Sequence, residues 1–224
     1  MNDVLCQRTS PVHDEIAHLE PRWGHVSNML AALSFGEQSV ELAQAASLGL
    51  ADASCLLRVV VKGPEAADWL QARGIGVPAG SYGVAWLPGG GQVVRTGREE
   101  IFVEDGPEGS IVPGLEQGLR SLHGGGPYEV VRQDACFFLS GARAGLVLAQ
   151  TCGVDMREPG ERLVLSRVAG VSAGIRFRQD LRVPLFQLWT DPSGGPYLWE
   201  TLHEIVTDLN GAPVGLCCFW PELC

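Results

Sequence analysis

What this sequence lacks narrows it quickly. It has no apolar run near the roughly 18–20 residues that cross a bilayer, so no membrane span is expected. It has no basic excess: 26 Asp and Glu against 16 Lys and Arg give a net charge of −10. A nucleic-acid binder neutralises phosphates with a basic face, and an anionic membrane surface asks for the same, so both partners are disfavoured. Residues 1–20 hold Asp3, Asp14, Glu15 and Glu20 and no apolar h-region, so they do not read as a signal peptide. The expected location is cytoplasmic.

The seven cysteines contain no CxxC spacing, and an odd, scattered set suits a reducing compartment. Cys55, Cys136 and Cys152 stand in apolar contexts and read as buried, inert thiols. Cys217, Cys218 and Cys224 cluster near the end, but neighbouring side chains point apart on an extended segment, so exposed tail thiols are expected rather than a metal site. His13 and His18, five apart, share no helical face. Ser54 has no base beside it in the sequence, and no Lys-Ser/Thr follows Gly89-Gly90-Gly91, so neither a nucleophile nor a phosphate loop is read there.

What is present is a globular composition: 224 residues, 46% hydrophobic and 19% charged, enough to bury a core. Residues 1–39 read as an irregular wrapping arm. A helix is expected over 40–48, capped by Gly49. A Val-rich strand over 57–62 ends at Gly63-Pro64, with Pro64 at the first position of a helix over 65–73. Strands at 83–87, 92–96 and 100–104 and a helix over 111–122 follow. Gly124-Gly125-Gly126-Pro127 is the strongest break. Beyond it come strands at 128–132 and 135–139, a helix over 142–150, strands at 163–168, 171–178 and 184–190, and a helix over 197–209.

The chain repeats itself. Val59-Val60-Val61-Lys62-Gly63 with Ala66 and Leu70 has a gapless counterpart in Phe137-Phe138-Leu139-Ser140-Gly141 with Ala144 and Leu148. Each half reads strand, helix, two or three strands, helix. The predicted class is therefore α+β, with duplicated βαββ(β)α units. The division is 1–49 as an arm and helix, 50–126 and 127–210 as the two halves of one domain, and 211–224 as a tail.

Two segments carry a resemblance. Gly49-Leu50-Ala51-Asp52-Ala53-Ser54-Cys55, then Val59-Val60-Val61-Lys62-Gly63-Pro64-Glu65-Ala66, resembles the glycine-cleavage T-protein family and its folate-binding fold. Within that superfamily, Arg132-Gln133-Asp134-Ala135, Leu148 to Asp155, and Phe186-Gln187-Leu188-Trp189 with Tyr197-Leu198-Trp199 resemble the gamma subunits of sarcosine oxidase. The chain length fits such a subunit, and no room is left for the T-protein's C-terminal barrel. The resemblance implies larger, flavin-bearing oxidase subunits as partners and tetrahydrofolate as a possible cofactor. The departures matter as much. The enzymes carry an acidic pair after a Gly-Gly turn, and here Gly90-Gly91 runs into Gln92-Val93-Val94-Arg95. Their Phe-Glu strand is Phe186-Gln187 here, and no "KGCYxGQE" motif of the iron–sulfur repair proteins occurs.

No catalytic residue is therefore assigned. Three readings stand: a non-catalytic gamma-type subunit of a flavin- and tetrahydrofolate-linked amine oxidase, a free-standing folate-binding or aminomethyl-transferring protein, and an interaction protein that kept the fold without the ligand. If folate binds between the halves, strand and helix ends place Trp86, Arg95, Glu104, Arg178 and Trp199 there. Tyr197 and Trp199, amphipathic aromatics on an acidic helix, read either as core or as a partner interface.

Overall fold

The computed structural model describes residues 8–122 and 125–224. Residues 1–7 of the arm, and Gly124 of the glycine break, lie outside them. The rest of the arm is not irregular. It forms a short helix α1 (His13–Ala17) and an antiparallel hairpin, β1 (Arg22–Val26) and β2 (Met29–Ser34). Ser27 and Asn28 both take positive φ, 49° and 61°, which is what a two-residue hairpin turn of matching twist demands.

Helix α2 (Gln38–Leu48) runs straight into β3 (Gly49–Asp52). Gly49 is extended, with φ −125°, so it is a strand residue and not a left-handed cap. Its missing side chain serves close packing, since a Cβ there would lie 2.7 Å from Ser140 Oγ and 2.8 Å from Val214. The first repeat follows: β4 (Arg58–Lys62), α3 (Ala66–Gln71), β5 (Val84–Leu87), β6 (Gly91–Gly97), β7 (Glu100–Glu104) and α4 (Ile111–Arg120). Glu65 is the N-cap of α3, so Pro64 precedes the helix rather than opening it. After β8 (Tyr128–Val131) comes the second repeat: β9 (Ala135–Ser140), α5 (Ala144–Thr151), β10 (Val164–Val168), β11 (Val171–Arg178), β12 (Leu185–Thr190) and α6 (Gly195–Asp208). A two-residue strand β13 (Ala212–Pro213) closes the series.

The duplication is visible in the pairing. One sheet has the order β5-β6-β7-β4-β8 and the other β10-β11-β12-β9-β3-β13. Every neighbour is antiparallel except β13 on β3. The matching strand-to-helix turns both use a glycine at positive φ, Gly63 at 126° and Gly141 at 93°. The halves also exchange strands. β3 precedes the first repeat yet pairs with β9 of the second, while β8 precedes the second repeat yet pairs with β4 of the first.

Alternation along the strands builds four layers. Val59, Val61, Val93, Ile101 and Val103 pack outward on α3 and α4. Leu50, Phe137, Leu139 and Leu188 pack outward on α5 and α6. Val60, Val94, Phe102, Phe138 and Trp189 face inward between the sheets, where the hairpin and the tail residues Leu216 to Trp220 join them. Among the described residues no helix is long and apolar enough to cross a membrane.

Candidate functional site

The central layer is apolar except for one row of polar side chains. Strand pairing aligns Trp86 with Gln92, Gln92 with Glu104, and Glu104 with Arg58 across the first sheet. Arg176 pairs with Gln187 across the second. Since alternate residues share a face, the two rows meet between the sheets.

Glu104 is the centre. It and Arg58 have fully buried side chains, and Arg58 Nε donates to Glu104 Oε2 at 2.6 Å. Trp189 Nε1 donates to the same oxygen at 2.7 Å. Gln92 Nε2 at 2.7 Å and Gln187 Nε2 at 2.8 Å donate to Oε1. Two oxygens offer about four acceptor sites, and all four are filled. Burial alone would raise the Glu104 pKa, but the Arg58 charge and these donors hold it below the usual carboxylate range, so it is ionised. A fully engaged carboxylate of depressed pKa has no capacity to take a proton at neutral pH.

The other Arg58 donors go to backbone carbonyls: Ala53 at 2.9 Å, and Ser54 and Asp134 at 3.3 Å each. Arg178 donates to Gln187 Oε1 at 3.0 Å, to the Gly90 carbonyl at 2.7 Å and to Asp180 at 2.6 Å. Arg176 donates through Nη1 to Gln92 Oε1, and its guanidinium lies 4.0 Å from the Trp86 ring centroid. Trp86 is the outer lid, 52% exposed.

Of the five residues expected at a central ligand site, the fold brings Glu104, Arg178 and Trp86 into this network and leaves two outside. Arg95 turns away and donates to the Pro78 carbonyl at 2.6 Å and to that of Arg98 at 3.0 Å. Trp199 lies behind the second sheet, 1% exposed, 5.5 Å from Phe137. That burial also corrects the interface reading for Trp199, because α6 turns this side chain into the core; Tyr197 stays exposed. Arg58, Arg176 and Trp189 were not read from the sequence, and Gln92 and Gln187 were read as neutral replacements for acids. One carboxylate does sit between them, supplied by the neighbouring strand as Glu104.

The Asp52-Ala53-Ser54 segment is structural. Asp52 Oδ1 accepts from the Ser54 amide at 3.0 Å and its hydroxyl at 2.5 Å, and Ser54 Oγ accepts from the Cys136 amide at 3.0 Å. Cys55 and Cys136 are buried, and burial pushes the Cys55 thiol up to about 12 and that of Cys136 higher still. Cys152 is only half-buried. Of the three tail cysteines only Cys224 is exposed as expected: Cys217 and Cys218 are 2% and 3% accessible, and Cys217 is paired with Cys224 as a disulfide. The cause is the apolar company of Leu216, Phe219 and Trp220, which carries the tail into the central core. Among the described residues no three His, Cys, Asp or Glu side chains are grouped to hold a metal ion.

A pocket of about 220 Å³ opens between the sheets over Phe102, Trp189 and Arg132. A larger one, about 600 Å³, lies behind the second sheet along α5, away from the polar row.

No known protein family matches the chain by sequence, and no curated protein does either. Solved structures do. The glycine cleavage system aminomethyltransferase T from Bartonella henselae superposes with a TM-score of 0.70 at 17% identity, over 95% of this chain and 60% of that one. This chain thus spans 60% of that enzyme's length. A heterotetrameric sarcosine oxidase from Corynebacterium sp. U-96, solved with pyrrole 2-carboxylate, superposes with a TM-score of 0.65 at 18% identity, over 92% of this chain and 98% of that one. At such identities the likeness is one of fold. The chain has the duplicated α+β fold seen in the aminomethyltransferase and the oxidase, with a polar centre closed on itself.

Proposed function

We propose that this chain is a gamma-type, non-catalytic subunit of a flavin- and tetrahydrofolate-linked amine oxidase of the sarcosine oxidase kind, serving one-carbon metabolism. The observation that carries the reading is the sealed Glu104. The one carboxylate at the sheet–sheet centre is neutralised by Arg58 and consumed by three neutral donors. The span of 98% of a heterotetrameric oxidase chain supports the same reading.

The residues at the centre do not fit a folate ring. Gln92, Gln187 and Glu104 are 0% exposed and spend their donors and acceptors on one another and on Arg58, Arg176, Arg178 and Trp189. Tetrahydrofolate and flavin then belong to the larger partner subunits, and this chain contributes docking. Tyr197, exposed on the first turn of α6, is the proposed partner contact. The reading of a free-standing aminomethyl-transferring protein asks for an accessible acid at this centre, and Glu104 is not one.

The test has two parts. The tagged chain is isolated from its own cells and the material is examined for a co-purifying flavoprotein and for sarcosine oxidation. The chain alone is titrated with tetrahydrofolate by calorimetry. A flavin-bearing partner, with no saturable folate binding by the chain alone, is the expected pair of results. Micromolar folate binding by the chain alone sinks the non-catalytic reading. A partner without flavin leaves the fold as that of an interaction protein outside the oxidases.

A further inference from the structure

We propose that the corner of the two sheets beneath Trp86 is an anion site, in which the Arg176 guanidinium receives a small monocarboxylate of the formate or acetate class. The inference stands whether or not the chain joins an oxidase.

The charges of the central row do not balance. Arg58 is paired with Glu104, and Arg178 with Asp180. Arg176 has no carboxylate within ion-pair distance among the described residues, although only 2% of its surface is exposed. Its Nε is buried with no hydrogen-bond partner, and its one acceptor is the neutral Gln92 Oε1. Burial, and then the neighbouring Arg178 charge, lower its pKa to about 10, so it is still a cation at neutral pH. A buried cation with an orphaned donor is costly unless something neutralises it. A second buried donor without a partner, Trp220 Nε1, lies beside Gly90, whose carbonyl Arg178 holds. This corner has donors in excess and lacks an acceptor.

The entrance is explicit as well. Trp86 covers the guanidinium with its ring face but sits on the edge strand β5, half exposed. Trp86 makes none of the Glu104 hydrogen bonds, so displacing its ring would cost none of them. A carboxylate supplies two acceptor oxygens in the plane that a guanidinium edge prefers. Entry at the rim of one indole ring limits the guest to a few heavy atoms.

The experiment is calorimetry and thermal unfolding of the full chain with sodium acetate, at constant ionic strength set by chloride. Acetamide is the neutral isostere. Saturable heat and a rising Tm are expected with acetate, and neither with acetamide nor with chloride alone. Arg176→Gln should weaken acetate at least about ten-fold, as loss of a charge-assisted hydrogen bond predicts. Trp86→Ala uncovers the corner and removes no hydrogen bond to Glu104. It keeps the acetate-over-acetamide difference and so tests the site independently of how Arg176→Gln folds. Equal responses to acetate and acetamide overturn the proposal, and so does the absence of a saturable acetate response in both the natural chain and Trp86→Ala. Undiminished acetate binding by Arg176→Gln overturns it too.

Discussion

Glu104→Gln is the sharpest perturbation of this fold, because it changes no volume and removes one charge. In the natural chain Oε1 and Oε2 accept from Gln92, Gln187, Arg58 and Trp189, all buried. A glutamine amide presents one acceptor and one donor group, so at least one of the four N–H groups faces another N–H. Arg58 is left as a buried cation with carbonyl partners only. Removing one partner of a buried ion pair costs about 3–5 kcal/mol. At about 2–4 °C per kcal/mol for a chain of this size, Tm falls by roughly 6–20 °C. Urea unfolding measures the loss as a lower midpoint at unchanged slope. The cycle is completed with Arg58→Met: each single variant leaves a lone buried charge and the double variant leaves none. The double should therefore be more stable than the summed losses by about 1–3 kcal/mol. The pH dependence adds a sign. Glu104 has a depressed folded pKa, so its contribution is present above the unfolded value of about 4.3 and is lost as pH falls through the lower folded value. Glu104→Gln should lack that acid-limb loss. A cost below about 1 kcal/mol, or additive single variants, would refute the account of Glu104 as a sealed carboxylate neutralised by Arg58.

Other outcomes follow from single residues. Trp199→Ala should lose about 3–5 kcal/mol in denaturant unfolding as a core cavity, whereas Tyr197→Ala should stay within about 0.5 kcal/mol and show its effect in partner capture. Asp52 runs opposite to Glu104: burial raises its pKa, so its contribution is present below the unfolded value of about 3.9 and is lost as pH rises through the raised folded value. Asp52→Asn, which keeps an acceptor for Ser54, should therefore gain stability on the natural chain between acid and neutral pH, and a constant difference across that range would count against it. Residues 1–126 and 127–224 made separately should each fail to give a dispersed amide spectrum, because each sheet borrows a strand from the other half; an independently folded half would contradict the exchange.

Most strands were legible because their apolar residues alternate or run continuously, and because glycine and proline punctuate them. What was missed has physical causes. β3 is four residues, all buried, so it has no alternation to read. The β1–β2 turn is Ser27-Asn28, a pair without glycine that takes positive φ only in context. At the site, strand ends point to Glu104, Arg178 and Trp86, but Arg95 runs against the alternation. It lies on the same face as Val93, which packs outward, while Gln92 and Val94 face inward. The same parity, applied to Val171–Arg178 and Leu185–Thr190, would have marked Arg176, Gln187 and Trp189 as inward polar groups on apolar strands. Which inward groups meet across the sheets depends on strand order, and no local pattern carries that.

Arg58 explains why the centre is closed. The chain crosses from the second sheet to the first between β3 and β4, and back again between β8 and β9. Arg58 binds the carbonyls of Ala53 and Ser54 at the first crossing and of Asp134 at the second, while Nε holds Glu104. One guanidinium thus ties both crossings to the carboxylate, and Trp189 and Gln187 tie that carboxylate to the facing sheet. A ligand admitted at Glu104 would have to break the joint that holds the exchanged halves together. Here the acid is part of what joins the sheets. That is the physical reason to look for this protein's activity on its surface and at the Trp86 corner, where Arg176 has a charge that the joint does not use.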